Sequence, residues 1–234
     1  MEKARPGSLN YKSLFYSAIA DEFDTLVNPY DLSRRLEVIF DELLVEDITG
    51  KALLDMGCAT GWFSKKAAEC GANVTSLDIS QELILFARQH VPTAYIVGSA
   101  LSLPFSDVAF DIVISSDVIE HTPNPRQAVL EMGRVLKSGG ILALICPNQK
   151  WNWLVHLASQ LRCRPFQGHE NFPGFDELED LRKSGLVRNR HFVFHPWPFQ
   201  LEPLWGWSFQ VDRQFGNGIW GRFMLNQAVR VSKS

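Results

Sequence analysis

Residues 52–61 read Ala-Leu-Leu-Asp-Met-Gly-Cys-Ala-Thr-Gly, and this stretch decides the fold. Its apolar run is short, carries an acid at Asp55 and leads into Gly57, which is typical of a buried strand that enters a tight turn. Residues 62–70 then predict a helix that ends at Gly71, because glycine is a favoured helix terminator. The stretch is therefore predicted to begin a strand–turn–helix unit.

The same alternation of strand and helix continues downstream. Further strands are expected at residues 73–77, 93–97, 110–115 and 141–145, and further helices at 81–90 and from Asn124-Pro125 to Gly139-Gly140. Strands that alternate with helices over short connections are typical of a parallel sheet with helices on both faces. The sequence therefore predicts an α/β fold, in which ligands bind beyond the carboxyl ends of the strands.

The segments on either side of this core have different patterns. Residues 8–44 are expected to form two helices, broken near Asn28-Pro29 because proline disfavours helical geometry in the residue before it. After Asn148 the alternation stops, and we expect helices at 151–161 and 175–184 and strands at 190–195 and 222–232. The 234 residues suit one domain, with a helical cap at 1–48, a core at 49–148, and a lid with the last strands at 149–234.

The last third of the chain leaves two interpretations open. The amphipathic helix at 151–161 is expected to cover the ligand site, with contact to a membrane surface as the alternative. Aromatic residues are concentrated further on, at Trp205, Trp207, Phe209, Phe215 and Trp220. Three interpretations fit these residues: a wall for a flat or lipid-like ligand, a hydrophobic plug over the sheet edge, or a surface for self-association. The third interpretation means that a homodimer is possible.

Charge and cysteine usage narrow the class of protein. The formal net charge of −3, without a basic run, argues against a nucleic-acid partner, which would require a clustered basic face. The four cysteines include no Cys-x-x-Cys pair, so the spacing of zinc and redox motifs is absent. The amino terminus lacks the apolar region of a secretory signal, and no stretch reaches the ~20 apolar residues of a membrane span. We therefore expect a cytoplasmic protein with a small-molecule substrate.

The turn at residues 57–61 is suited to a ligand, but not to a dinucleotide. Backbone amides beside its two glycines are expected to contact the ligand, and Asp78, at the end of the next strand, can accept hydrogen bonds from ribose hydroxyls. A Gly-x-Gly-x-x-Gly frame started at Gly57 would require glycine where the chain has Ala59 and Trp62. A nucleoside without a pyrophosphate therefore fits better than NAD or FAD.

These motifs together resemble a known family. Residues 53–61, Asp78 and the stretch Phe-Asp-Ile-Val-Ile-Ser-Ser-Asp-Val-Ile-Glu-His at 110–121 resemble the class I S-adenosylmethionine-dependent methyltransferases. Pro123-Asn-Pro and Leu136-Lys-Ser-Gly-Gly are similar to the branch that contains ubiquinone-biosynthesis and natural-product methyltransferases. The resemblance covers residues 11–148. It implies a Rossmann-like, seven-stranded, mostly parallel sheet with helices on both faces and an N-terminal helical cap.

The resemblance also implies an activity: transfer of a methyl group from S-adenosylmethionine to a small molecule by in-line displacement. A hydroxyl acceptor, and hence O-methylation, is the favoured interpretation. Methylation of carbon or nitrogen, and a protein that binds the cofactor without catalysis, are the alternatives.

By the same resemblance, Asp55 holds the ammonium of the cofactor, Gly57 and Gly61 approach its methionine moiety, and Asp78 binds its ribose. The remaining expected cofactor contacts are Cys58, Ala59, Ile79, Ser99, Ala100, Leu101 and Ser116. The family's third-strand motif is Gly-Asp-Ala, whose acid contacts adenine. This chain has Ser99 at that position, so a charge-assisted contact is lost.

Two histidines are the candidate bases for a hydroxyl acceptor. His121 follows the fourth strand, and its ordinary pKa near ~6.5 suits proton transfer; the alternative is a loop histidine that bonds to backbone. His169 is the second candidate, either as a base or as a substrate contact, and otherwise a loop residue. Tyr16 and Phe23 of the predicted cap are expected to touch the substrate.

A metal ion is a further interpretation. Asp117-Val-Ile-Glu120-His121 resembles the Glu-x-x-Glu-His segment of ubiquinone-type O-methyltransferases, for which a divalent metal is proposed. Oxygen ligands with an imidazole could hold Mg²⁺. The alternative, which we favour, is two acids and a histidine near a helix start, where acids are common.

Overall fold

The computed structural model describes residues 9–151, 153, 171, 185–194, 206–207, 210–211, 214 and 224–234. The helix expected at 175–184, nearly all of the helix expected at 151–161, and His169 lie outside these residues. Of the aromatic residues between the last two strands, Trp207 is described, and its side chain is half exposed.

Within the described residues, seven strands form one sheet in the order β3-β2-β1-β4-β5-β7-β6. The first five strands run parallel, and β7 pairs antiparallel with both β5 and β6. The α/β fold with a mostly parallel seven-stranded sheet is thereby confirmed. The strands are β1 Ala52–Met56, β2 Asn73–Asp78, β3 Ala94–Val97, β4 Phe110–Ser116, β5 Leu136–Pro147, β6 Leu186–Phe194 and β7 Asn226–Lys233.

Two of the three core helices begin at polar side chains that satisfy free backbone N–H groups. The helices are α4 Trp62–Glu69, α5 Gln81–His90 and α6 Pro125–Val135. The Ser80 hydroxyl accepts a hydrogen bond from the Leu83 amide, and the Asn124 side chain accepts one from the Gln127 amide. These caps fix where the helices start relative to the strand ends before them.

The N-terminal cap contains more breaks than the sequence predicted. It comprises α1 Leu9–Ala18, a 3₁₀ turn Ala20–Glu22, α2 Phe23–Leu26, α3 Pro29–Glu37 and a π-helical segment Val38–Leu43. The expected break at Asn28-Pro29 is present, and the Asn28 side chain caps α3 by accepting from the Tyr30 and Asp31 amides. Arg190 and Arg230 donate to the Glu42 and Leu43 carbonyls, so two strands of the sheet hold the end of the π-helical segment.

The prediction that α6 continues to Gly139-Gly140 is wrong. The helix ends at Val135, and β5 begins at the next residue. The Lys233 ammonium donates to the Arg134 and Leu136 carbonyls, which satisfies acceptors that a longer helix would have used. Gly139, with a φ of 75°, lies in a bulge between two pairs of the β4–β5 ladder. The glycines therefore serve the strand and do not end the helix.

The core consists of two apolar layers, one on each face of the sheet. Alternate residues of each strand enter opposite layers, so Leu54 and Met56 pack with Met132 of α6, whereas Leu53 packs with Ile39 and Leu43 of the π-helical segment. Helices thus cover both faces, as expected, and the carboxyl ends of β1, β2 and β4 open at one edge.

Leu54→Ala tests how much this core contributes to the stability of the protein. Leu54 is fully buried in β1, so the substitution should lower the free energy of unfolding by about 2–5 kcal/mol through lost burial and a cavity. Leu85→Ala, at a half-exposed position of α5, is the matched control and should change it by less than about 0.5 kcal/mol. Urea denaturation measures both, and similar losses in the two variants would contradict the assignment of the core.

Candidate functional site

The turn after β1 depends on two glycines in left-handed geometry. Gly57 has a φ of 80° and Gly61 a φ of 91°, values that a residue with a side chain rarely adopts. A Cβ on Gly57 would lie 2.3 Å from a methyl carbon of Val118, and one on Gly61 would lie 3.2 Å from the Cβ of Ala87. The glycines therefore allow the turn to pack directly against the loop after β4 and against α5.

Four amides of this turn already have acceptors inside the protein. The Gly57 and Cys58 amides donate to the Leu77 carbonyl, at 2.7 and 3.0 Å, and the Gly61 amide donates to the Cys58 carbonyl. The Ala59 amide donates to the Asp78 carboxylate at 2.9 Å. The expectation that amides beside the glycines face a ligand is therefore wrong for these four, because three of them attach the turn to β2 and the Gly61 amide closes the turn itself.

Asp78 lies at the end of β2 as a buried carboxylate held by backbone. Its two oxygens accept hydrogen bonds from the Ala59 and Ser80 amides, each at 2.9 Å. Burial raises the pKa of Asp78, although these amides act in the opposite direction. A carboxylate oxygen has two lone pairs, so each oxygen retains capacity for another donor, such as a ribose hydroxyl.

Asp55, in β1, is the first member of a chain of hydrogen-bonded side chains. The Ser64 hydroxyl donates to its carboxylate at 2.6 Å, Ser64 lies 2.7 Å from the Ser76 hydroxyl, and Ser76 lies 2.9 Å from that of Thr93. Burial raises the pKa of Asp55 to about 7; the Ser64 hydrogen bond lowers it, and the nearby Asp78 carboxylate raises it further. Two buried acids thus occupy neighbouring strand ends.

The other predicted cofactor residues surround these acids. Cys58 is buried and has a free thiol, while Ala100 and Leu101 pack against the core layer of α6. The Ser99 hydroxyl accepts from the Leu101 amide at 3.1 Å, so the turn itself uses one of its acceptor positions. Ile79 and Ser116 contact the cap, since the Ile79 carbonyl accepts from Ser13 and the Ser116 hydroxyl accepts from Arg35.

The cap is fastened to this edge at a second point, which sequence reasoning missed. The Asp24 carboxylate accepts from the Thr60 hydroxyl at 2.6 Å and from the Trp62 indole N–H at 3.2 Å. On α1, Ser17 contacts Ser80 and Glu82 at the start of α5. The cap therefore closes over the turn after β1, and no sequence pattern around Asp24 indicates this.

His121 lies in a 3₁₀ turn after β4 and meets α1. Its ring packs edge-on against Tyr16 at 5.7 Å between centroids, and Tyr16 packs against Phe23 at 6.4 Å. The structure thus brings together three residues that the sequence assigned separately to catalysis and substrate contact. It adds Lys12, which the sequence did not indicate: its ammonium lies 3.4 Å from Nδ1 of His121 and its side chain is only 3% exposed.

The proposed metal ligands do not come together. Among the residues that the structure describes, no group of three or more His, Cys, Asp or Glu side chains could hold a metal ion. Asp117 turns toward α3 instead and accepts from Arg35 at 2.8 Å, with its own backbone at a φ of 54°. Burial alone would lower the pKa of Arg35, but Asp31, Asp117 and Glu120 raise it. The metal interpretation of Asp117, Glu120 and His121 is therefore corrected.

The sheet order and the acids at the ends of β1 and β2 define the class I methyltransferase fold. A family profile described as a methyltransferase domain matches residues 54–144. The chain belongs to the class I S-adenosylmethionine-dependent methyltransferases. No helix among the described residues is long and apolar enough to cross a membrane.

Curated relatives include several methyltransferases. The chain is 29% identical over 174 residues to a malonyl-acyl carrier protein O-methyltransferase of Pectobacterium atrosepticum, covering 65% of this chain and 69% of that protein. It is 32% identical over 159 residues to an uncharacterized methyltransferase of Mycobacterium marinum, covering 67% of this chain and 54% of the relative. It is 36% identical to the biotin biosynthesis bifunctional protein BioHC of Cellvibrio japonicus over 52% of this chain and 26% of the relative.

Solved structures share the fold at low sequence identity. The 4+2 cyclase SpnF matches with a TM-score of 0.70 and 18% identity over 98% of this chain and 97% of that one. An S-adenosylmethionine-dependent methyltransferase from Mesorhizobium loti matches with a TM-score of 0.65 and 18% identity over 86% of this chain and all of that one. At such identities these structures support the fold alone.

Asp55→Asn tests the buried acid through the pH dependence of stability. The folded-state pKa of about 7 lies above the ordinary 3.8, so the folded protein retains a proton that the unfolded chain releases. Asp55 therefore makes the protein less stable as pH rises through this interval, with a slope of at most about 1.4 kcal/mol per pH unit. Asparagine cannot ionise, so the variant should show a flatter profile.

Urea denaturation of the cofactor-free protein across this pH range measures the effect. At pH values above the folded pKa, the variant should be more stable than the wild-type protein. Identical pH profiles for the two proteins would show that Asp55 is not a buried acid of this kind.

Proposed function

We propose that this chain binds S-adenosylmethionine at the carboxyl edge of the sheet and transfers its methyl group to an oxygen atom of a small molecule. The observation that carries the proposal is the pair of buried carboxylates, Asp55 and Asp78, on either side of the glycine turn. We propose that the cofactor contacts are those expected from the sequence, with the side chains and carbonyls of the turn in place of its occupied amides.

The donor set at this edge fits a cation with two ribose hydroxyls. Burial raises the pKa of both Asp55 and Asp78, so a cationic ligand nearby would favour their ionised forms. When bound, S-adenosylmethionine supplies a methyl group on a positively charged sulfur. Asp78, oriented by two amides, would accept from the ribose, and Asp55 would face the ammonium, directly or through water.

The acceptor side is proposed at His121, Tyr16 and Phe23. Tyr16 of α1 packs against His121 after β4 and against Phe23 of α2, and these rings suit an organic acceptor. The Pectobacterium relative is named as an O-methyltransferase, which supports oxygen as the acceptor atom. A hydroxyl acceptor would lose a proton, and His121 is the side chain proposed to take it, with His169 as the second candidate.

The proposed organisation remains a single domain, with the cap at 1–48, the core at 49–148 and the lid with the last strands at 149–234. The contacts of α1 with the segment after β2 and of α2 with the turn after β1 support it, because the cap covers the edge on which the cofactor is proposed to bind. The chain spans about half of the length of most of its curated relatives, so their other segments have no counterpart in this proposal.

Asp78→Ala tests cofactor binding. Hydrogen bonds to a charged group contribute about 1.5–3 kcal/mol each, so their loss should weaken binding of S-adenosylmethionine by about 10- to 100-fold or more. Asp41→Ala, at an exposed acid on the π-helical segment, is the matched control and should bind normally. Calorimetric titration measures both affinities.

Asp78 also anchors the turn, so Asp78→Asn provides a second variant that keeps an acceptor oxygen of the same shape. It should keep the fold with reduced stability, because its NH2 group leaves one of the Ala59 and Ser80 amides without an acceptor, and it should bind the cofactor with intermediate affinity. Unchanged affinity in both variants would exclude Asp78 from the cofactor site.

His121→Ala tests the acceptor side. Cofactor affinity should stay within about twofold of the wild-type value, and methyl transfer should fall by about 10²–10⁴-fold if His121 acts on the acceptor. Transfer is followed in metabolite extracts as a mass gain of one methyl group that requires added S-adenosylmethionine. His90→Ala, at an exposed position, is the control. Equal methylation by the wild-type protein and His121→Ala would move the acceptor site elsewhere.

A further inference from the structure

Asp55 is held by a line of three hydroxyls that runs into the protein. The Ser64 hydroxyl of α4 donates to Oδ2 of Asp55 at 2.6 Å, and the Ser76 and Thr93 hydroxyls continue the line at 2.7 and 2.9 Å. Ser64 and Ser76 are fully buried, and Asp55 is 3% exposed. Apolar side chains would fill this space without a desolvation cost, so the hydroxyls indicate that the carboxylate requires a fixed donor.

The number of protons in this line fixes its direction. A hydroxyl carries one proton, and Ser64 gives its proton to Asp55. Ser64 therefore accepts from Ser76, and Ser76 in turn accepts from Thr93. All three bonds then point toward the carboxylate, which stabilises its ionised form. If Asp55 carries a proton on the same oxygen, each bond can reverse, so the line suits both charge states.

Burial and Ser64 act on the charge of Asp55 in opposite directions. Burial has the largest effect, and together with the nearby Asp78 carboxylate it raises the pKa of Asp55 to about 7, whereas the Ser64 hydroxyl and amide lower this pKa. Cys58 in the turn after β1 and Tyr95 of β3 also interact with Asp55, and both groups are neutral or negative. Ser64 is therefore a contact that keeps the ionised form accessible near neutral pH.

Other charged residues on the elements around Asp55 have different surroundings. Arg88 of α5 lies over the Tyr95 ring, with 5.7 Å between its guanidinium carbon and the ring centroid. Asp111 lies at the start of β4, where it pairs with Lys137. The charged side chains of α4 are exposed: Lys65, Lys66 and Glu69.

We propose that Ser64 is a positioning residue of the cofactor site, which holds Asp55 in the orientation and charge state that bind the ammonium group of the cofactor. The proposal rests on the proposed function and deepens it, because it names a residue outside the expected contacts that controls recognition of the cation. As the ammonium binds, the Asp55 carboxyl gives up its proton to solvent, and no bond of the cofactor changes. Binding of the ammonium is thus linked to release of up to one proton.

The affinity for the ammonium should rise with pH. Below the folded-state pKa of about 7, Asp55 carries a proton that the ammonium must displace, so the affinity increases by at most about tenfold per pH unit. Above this pKa the carboxylate is already ionised, and the dependence levels off. The amino group of the ligand itself loses its proton near ~8, so the informative range lies below about pH 7.

The first test compares two ligands of the wild-type protein. S-adenosylhomocysteine carries the ammonium, whereas 5′-methylthioadenosine keeps the thioether, ribose and adenine but lacks the amino-acid group. Calorimetric titration between about pH 5.5 and 7 gives the ratio of the two affinities, in which the contribution of Asp78 at the ribose cancels. This ratio should increase about tenfold in favour of S-adenosylhomocysteine, whose carboxylate does not titrate in this range. A ratio that is independent of pH would overturn the proposal.

Ser64→Ala removes the donor to Asp55 and therefore favours its neutral form. The pH dependence should move upward by about one unit, so that S-adenosylhomocysteine binds about five- to tenfold more weakly across the range. Binding of 5′-methylthioadenosine should stay within about twofold of the wild-type value. Equal weakening of both ligands would overturn the positioning role, because it would report the shape of the site and not the charge of Asp55.

Two further variants complete the comparison. Ser64→Thr keeps the hydroxyl and should restore most of the affinity for S-adenosylhomocysteine. Ser138→Ala, at an exposed position of β5, is the matched control and should bind both ligands like the wild-type protein. Affinities in Ser64→Thr as low as those in Ser64→Ala, with 5′-methylthioadenosine still bound normally, would overturn the role of the hydroxyl.

A measurement without cofactor separates this proposal from the proposed function. The carboxyl ¹³C signal of Asp55, assigned by its absence in Asp55→Asn, reports the titration of this acid, and its midpoint should be higher in Ser64→Ala than in the wild-type protein. An unchanged midpoint would overturn the positioning role. Failure of both ligands to bind would remove the proposed function, whereas binding of both with a constant ratio would retain that function and overturn the role of Ser64.

Discussion

The contact between Gly57 and Val118 is the constraint on which the ligand edge depends. A Cβ on Gly57 would approach a Val118 methyl to 2.3 Å, so the turn after β1 and the loop after β4 can meet only if the first has no side chain there. The same turn is fixed to β2 by the Gly57 and Cys58 amides on the Leu77 carbonyl. The ends of β1, β2 and β4 are thereby held in one arrangement. This arrangement sets the positions of Asp55, Asp78 and His121.

Holding these strand ends together places negative charge in a buried setting. Asp55 and Asp78 are each almost fully covered, and burial is the main reason that the pKa of each is raised. Hydroxyls and amides compensate in part, through Ser64 on Asp55 and through Ala59 and Ser80 on Asp78. A cationic ligand with ribose hydroxyls would complete this set, in agreement with the proposed binding of S-adenosylmethionine.

The cap is attached to the ligand edge at several points. Asp24 fastens it to the turn after β1, and Ser13 and Ser17 fasten it to the segment after Asp78. Arg35 joins α3 to Asp117 in the loop that leads to His121, so that acid serves the cap and not a metal ion. Lys12 of α1 lies 3.4 Å from Nδ1 of His121, so the cap also meets the loop after β4 at this point.

The amino-acid pattern was sufficient to predict the sheet, most element boundaries and the positions of Asp55, Asp78 and His121 at or after strand ends. Local patterns suffice for these features, because apolar runs, glycine turns and short connections fix a parallel α/β unit, and such units open at one edge. It failed at Gly139-Gly140, since a glycine pair marks a helix end and a strand bulge equally well. The partners of the site residues became known only from the folded chain: Lys12 for His121, Asp24 for Thr60 and Trp62, Arg35 for Asp117, and Leu77 for the turn amides. All but the last join segments that are 36–109 positions apart, and which polar groups meet across such distances depends on how whole helices pack, which no local pattern records.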